Sequence, residues 1–442
     1  MSPVLNRRSG ANRARLAARL AGTVLALSPM LGAAQDVLIR NALVHTASAQ
    51  GSLADTDVLV RNGRIAAIGS GLAADGAQVV EGQGRPLTPA LFGGISGIGL
   101  EEVSAEAFTR DAALALGQNA KDIVVRPEFD VSLAYNPDSI LLPVARVEGI
   151  GFTLLTANST AGGSIIGGQG AVVRLDGSPD PIGPRVLFVS LGGGASELSG
   201  VSRAGQWMLL EQLIEELRGK IPADMAMLTP AGRVALKRYI DDGGRIVFDV
   251  NRAADIRQLL RFAQRHKLNI TISGAVEAWK LAPELAAAKV PVFVDTLANL
   301  PANFDQIHAT LENAARLRAA GVQVGFNQSG DASHNARKQR QLAGNAVAHG
   351  LPWEDALAGL TRIPAETFGV GERTGTIEVG KAADLVLWSG DPLDVAHTAR
   401  QVWLDGRAIP MQSRQTLLRD RYLRAEPVPQ SGDLPRMYPS LR

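Results

Sequence analysis

The sequence predicts an α/β fold, a barrel of parallel βα units with a small β-module assembled from both ends of the mature chain. Three observations lead there. Apolar runs of strand length alternate with helix-like segments through the middle of the chain, the pattern of βα units. Short alternating strands with turn punctuation fill the stretch from Asp36 to Leu87, and the same strand-turn grammar returns near the C-terminus in AADLVLWSGD and ARQVWLDGRAI. The third is composition: 442 residues, 46% of them apolar, with 47 Gly and 23 Pro, suit a large globular core and not a fibrous or disordered chain.

Taken in order, residues 1–34 read as an export signal. Arg7, Arg8, Arg13, Arg15 and Arg19 form a basic start, LAGTVLALSPML is the apolar run, and Gly32-Ala33-Ala34 offers small residues for cleavage before Gln35. The apolar run falls short of the ~20 residues that a membrane span needs. A periplasmic or secreted protein is expected, with no membrane attachment after cleavage. Without the five leader arginines, 40 of the 45 basic residues remain against 43 acidic ones, a balance of −3, and no basic cluster marks a nucleic-acid partner. The chain has no cysteine, which excludes disulfides, thiolate metal sites and cysteine nucleophiles.

Residues 35–87 give the N-terminal part of the β-module: DVLIRNALVHTA, then TDVLVRNGRIAAIG with Asn62-Gly63 as a hairpin turn, then QVVEGQGRPLT. The barrel occupies 88–370, with strands at 91–97, 149–157, 185–191, 245–250, 268–274, 290–296 and 322–328. An eighth is hidden in glycine-rich or helical sequence. Helices are clearest at AGQWMLLEQLIEELRGK, AADIRQLLRFAQRHK and FDQIHATLENAARLRAAG. Residues 371–412 complete the β-module, and 413–442 form a terminal helix and a loose, proline-bearing tail.

Several stretches resemble the amidohydrolase superfamily, in its imidazolonepropionase- and prolidase-like branch. They are the DVLIRNALVHT…VLVRNGRIAAIG block, LTPALFGG, NRAADIRQLL with GAVEAWKLAPELAAAKVPV, and HGLPWEDALAGLTRIPAETFGVGERTGTIEVGKAADLVLWSGDPL. In the last, Gly375, Gly380, Lys381, Ala383, Asp384, Leu385 and Asp391-Pro392 match the signature G-x-I-x-x-G-K-x-A-D-L-V…D-P. The resemblance implies a TIM-like (β/α)8 barrel with a split β-sandwich. It also implies zinc chemistry at the C-terminal ends of the strands, where a bound water loses its proton near pH 7.

Of the ligands implied by the resemblance, only an aspartate after the last strand has a counterpart in this sequence. The pattern T-P-G-L-I-D-x-H-x-H falls on Thr88 to Gly97 and puts Ile95 and Gly97 at the two histidine positions and Gly93 at the aspartate. Later strand ends offer Asp249 where histidine is usual, and Ser273-Gly274 on the next strand. Asp331, in NQSGDASHNAR, falls at the strand-8 aspartate, a metal ligand and proton shuttle in the family, with Ser329 competing for the same position.

Of six histidines, His45, His266, His308, His349 and His397 read as surface or packing residues, and His334 alone falls in a loop expected at the active face. No zinc cofactor is expected, since three or four convergent ligands are needed; a hard cation on Asp249, Asp295 and Asp331 stays open. AGGSIIGGQGAVVRLDG, containing Gly168, lacks the Gly-Lys-Ser/Thr of a phosphate loop and reads as a flexible βα loop that lines the pocket. Ser96, Ser164 and Ser329 have no histidine base nearby except His334.

Two functions fit. One is a non-catalytic barrel that binds a small molecule or partners an active amidohydrolase paralogue, with Ile95, Gly97, Ser273, His334 and Gly168 in its pocket. The other is a hydrolase of C–N bonds in dipeptides, N-acyl amino acids or cyclic amides, using Asp249 and Asp331 as acid and base or a carboxylate-bound metal.

Overall fold

A computed structural model describes residues 36–423, apart from 120, 299 and 331. The proposed leader, the loose tail from 424 onward and Asp331 therefore lie outside the described residues.

The chain opens with β1 (Val37–His45), β2 (Ser52–Arg61), β3 (Arg64–Gly69), β4 (Gln78–Glu81) and β5 (Pro86–Pro89). The Asn62-Gly63 turn joins β2 to β3 with positive φ at both residues, 49° and 77°, the geometry of a tight hairpin. The barrel follows. Its strands are β6 (Leu91–Ser96), β7 (Ile150–Leu155), β8 (Ile166–Arg174), β9 (Arg185–Ser190), β10 (Arg245–Val250), β11 (Asn269–Gly274), β12 (Val292–Val294) and β13 (Val324–Phe326). Nearly all of their residues are buried, as expected of strands covered on both faces. Helices α1 (Leu141–Arg146), α2 (Arg203–Leu217), α3 (Pro230–Ile240), α4 (Ala253–His266), α5 (Ala282–Ala287), α6 (Asn313–Ala319), α7 (Lys338–Ala348), α8 (Trp353–Leu360) and α9 (Arg362–Thr367) accompany them. Then come β14 (Leu385–Trp388), β15 (Ala399–Leu404), β16 (Arg407–Ile409) and α10 (Arg414–Leu423).

Both ends of the chain share one eight-stranded sheet, ordered β16-β15-β14-β5-β1-β2-β3 with β4 on β1. The seam between the ends is the antiparallel pairing of β5 with β14, Thr88 opposite Val386.

The barrel sheet runs β13-β12-β11-β10-β9-β8-β7-β6 and is nearly closed. The eighth strand is β8, in the glycine-rich segment expected to be a flexible loop. It runs antiparallel to both neighbours because hairpins, not a helix, connect it to β7 and β9. The glycines serve close approach: a Cβ on Gly170 would run into the Leu155 carbonyl of β7. This antiparallel strand departs from a regular (β/α)8 barrel.

Of the helices expected, α2 and α4 form as read, but FDQIHATLENAARLRAAG is helical only from Asn313. Its first half is drawn into turns, where Asp305 accepts from Gly193 N at 2.5 Å and pairs with Arg203, tying the loop after β12 to the loop after β9. His308 thus sits in a turn, not a helix.

Candidate functional site

Parallel pairing in register builds the site. Asp249 of β10 stands opposite Ser190 of β9 and Ser273 of β11, so three polar side chains share one row at the C-terminal strand ends. Below them Phe92, Phe152, Phe293 and Phe368 pack with ring centroids 5.1–6.1 Å apart and, with Val247 and Ile95, form one buried apolar cluster.

The barrel edges β6 and β13 meet through a side chain. Asn327, just past β13, accepts a hydrogen bond from Ile95 N at 2.9 Å and donates to Ser273 Oγ at 3.0 Å. Pairing of β6 with β7 slips between Phe92 and Ile95, where Gly94 takes φ 85°. Beyond β6, Gly97 N donates to Ser333 Oγ at 3.0 Å, and Ser333 Oγ donates to Glu101 Oε2 at 3.4 Å.

These elements surround a cavity of about 380 Å³, within the range of small-molecule sites. Ile95, Gly97, Asp249 and Ser273 line it together, as the reading of the strand ends expected. Asp249 is open to the cavity yet enclosed by the barrel wall, and desolvation pushes its pKa up to about 6. No described residue forms a hydrogen bond or ion pair with its carboxylate.

Other expected residues lie elsewhere. Gly168 is buried within β8, where its Cα faces Phe129, so it does not line the cavity. His334 directs Nε2 to the Glu102 carbonyl at 3.1 Å and is likewise absent from the lining. The Asp295 carboxylate accepts from the backbone N–H groups of Leu297 and Ser329 at 2.9 and 2.7 Å, which uses it as a loop brace outside the cavity. Ser164 hydrogen-bonds the Ile166 carbonyl at 3.1 Å, away from the cavity; Ser96 touches the lining but is buried and shares its hydroxyl with Thr153 Oγ1 at 2.8 Å. Ser329 does reach the lining.

Among the lining residues that the sequence reading missed are Glu101, Asn251, Asn327 and Gln328. Asn251 follows Asp249 by two residues and Asn327 ends a predicted strand, so their positions carried a signal. Glu101 depends on the path of a loop and carried none.

The donor set does not fit zinc. Among the described residues, the ionisable groups lining the cavity are the carboxylates Glu101 and Asp249, with no imidazole. Among the described residues no three His, Cys, Asp or Glu side chains group closely enough to hold a metal.

Comparison with known proteins agrees with the fold and with the C-terminal sequence. Residues 339–410 match the Amidohydrolase family. An amidohydrolase, tasK, of Hapsidospora irregularis is 47% identical over 74 residues, 17% of this chain and 8% of that protein. An imidazolonepropionase of Acidiphilium cryptum is 35% identical over 86 residues, 19% of this chain and 21% of that protein. The matches thus span less than a quarter of either relative. A solved amidohydrolase structure from Thermotoga maritima superposes with a TM-score of 0.74 at 25% identity, covering 85% of this chain and all of that one. Molinate hydrolase, at a TM-score of 0.53 and 14% identity, shares the fold alone. Fold and C-terminal sequence together support the amidohydrolase superfamily for this chain.

Proposed function

We propose that this protein is an amidohydrolase-type barrel that binds a small molecule at its mouth and does not carry out zinc-assisted hydrolysis. What supports the reading is the lining of the cavity: Ile95 and Gly97 stand at the positions where the resemblance puts the first imidazole pair, and among the described residues no histidine lines the space. A metal held by side chains needs three or four donors with a fixed open position, which two carboxylates among hydroxyls and amides do not supply. An active paralogue as partner, and export of the mature chain, belong to the same proposal.

A second reading has one observation in its favour. A carboxyl with its pKa near 6, next to Ser273, is suited to proton transfer near neutral pH, so Asp249 would serve a metal-free C–N hydrolase as acid or base.

One experiment separates the two. Plasma mass spectrometry of the purified mature protein is expected to find substoichiometric zinc, and dipeptides and N-acyl amino acids are expected to survive with or without a chelator. Near-stoichiometric zinc with chelator-sensitive hydrolysis would refute the binding-protein reading. Zinc-free hydrolysis lost in Asp249→Asn would replace it with the second.

A further inference from the structure

We infer that the mouth cavity takes a small organic cation, a molecule carrying an ammonium group, which the carboxylates of Asp249 and Glu101 accept. The inference rests on the mouth being the functional site and names the ligand class for it.

Its basis is an imbalance between donors and acceptors. Three donors around the mouth are used within the protein: Ile95 N by Asn327 Oδ1, Asn327 Nδ2 by Ser273 Oγ, and Gly97 N by Ser333 Oγ. Three acceptors are left open. The Asp249 carboxylate has no partner among the described residues, and Asn251 Oδ1 and Gln328 Oε1 are buried with no hydrogen bond. Buried polar atoms in native proteins are nearly all satisfied, so two buried amide oxygens without a partner, beside a carboxylate that faces the same cavity, point to a ligand that donates. Either amide would reverse its polarity by turning over, but a carboxylate has no such freedom, and the charge of the site is set by Asp249 and Glu101.

Among the described residues no Lys, Arg or His lines the space, so an anionic ligand would enter against two carboxylates with no cation beside them. An ammonium ion gains charge-assisted hydrogen bonds to the same groups. Phe188, Val247 and Ile95 on the floor of the cavity give a hydrocarbon body its contact surface. A volume of about 380 Å³ admits a ring with a short arm.

Three probes of one shape and different charge test this on the mature chain by calorimetry: benzylammonium, benzyl alcohol and benzoate. Benzylammonium is expected to bind at least about ten-fold more tightly than either of the others. Asp249→Asn should remove most of that preference while leaving benzyl alcohol unchanged. Glu101→Gln provides a second variant should Asp249→Asn fold poorly. Equal binding of the three, preference for benzoate, no measurable binding of benzylammonium, or its displacement by millimolar calcium or magnesium would overturn the inference. A zinc-loaded, hydrolytic protein that still selects benzylammonium would instead refute the non-catalytic reading and leave the ligand class standing.

Discussion

Asp384 is buried and Asp249 stands at the open mouth of the barrel, and their surroundings differ in every respect that matters. Asp384 follows Ala383 into β14 inside the segment that matches the family. Its carboxylate pairs with Arg174 of β8 at 3.3 Å and accepts from Asp405 N at 2.8 Å, while its carbonyl accepts from Ala90 N at 2.9 Å. Asp249 ends a barrel strand, faces a cavity and has no partner among the described residues. One aspartate fastens the terminal sheet to the barrel, and the other is held ready for something outside the protein. The recognisable signature residues have fastening roles too: Asp391 accepts from Trp353 Nε1 at 3.0 Å, and Gly375 takes φ 95° where a Cβ would meet Ala365. Likeness in that block therefore reports how the barrel is closed, and the chemistry has to be argued from the mouth.

The sharpest way to break this contrast is Asp384→Ala. The Arg174 and Asp384 side chains are only 7% and 4% exposed, so the substitution leaves a buried guanidinium with only the more distant Asp405. Losing one member of a buried pair costs about 3–5 kcal/mol. Chemical denaturation should show that loss, and the surviving folded protein should keep its selectivity among charged probes at the mouth. A loss below about 1 kcal/mol, the range of exposed pairs, would mean that the staple is not what holds the two parts together.

Much of this contrast was legible in the sequence, for physical reasons that differ by element. Seven barrel strands showed as apolar runs because both faces of the sheet are covered. The eighth did not, because the glycines that let β8 lie against β7 are the same residues that mark flexible loops. Strand-end reasoning brought Ile95, Gly97, Asp249 and Ser273 to one cavity, since the end of a parallel strand fixes where a side chain emerges. It failed for Gly168 and His334, whose positions depend on a hairpin and on a loop turned toward the Glu102 carbonyl. The place of Asn327 at a strand end was readable too, but its role was not, because a side chain that joins two barrel edges has meaning only once the barrel exists.

Asn327→Ala sharpens the comparison from the mouth side with a smaller effect. It leaves Ile95 N without its acceptor and Ser273 Oγ without its donor. An unsatisfied buried polar group costs about 1–3 kcal/mol, less if water enters from the cavity. Faster hydrogen exchange at the Ile95 amide should accompany the loss and locate it at the β6–β13 seam. Unchanged exchange there would show that the edges are held by something else.

The smallest effect, and the only one expected to stabilise, belongs to Asp249→Asn. The folded-state pKa of this carboxyl is about 6, above its ordinary 3.8, and desolvation is the cause. On raising the pH from 3 the unfolded chain therefore gives up this proton first, and between about 4 and 6 the folded state still holds a proton that the unfolded state has lost. Stability contributed at this position is present at low pH, falls through that window and stays low above it. The asparagine variant has no such slope, so its melting temperature should exceed that of the parent at pH 7.5 and lose the advantage at pH 4. Cavity water reaches the carboxylate, which keeps the gain below the losses expected at Asp384 and Asn327. Thermal melts of both proteins at several pH values read the difference directly. Curves that stay parallel from pH 4 to 8 would show an ordinary aspartate, and the acid–base reading of the mouth would then lose the one observation in its favour.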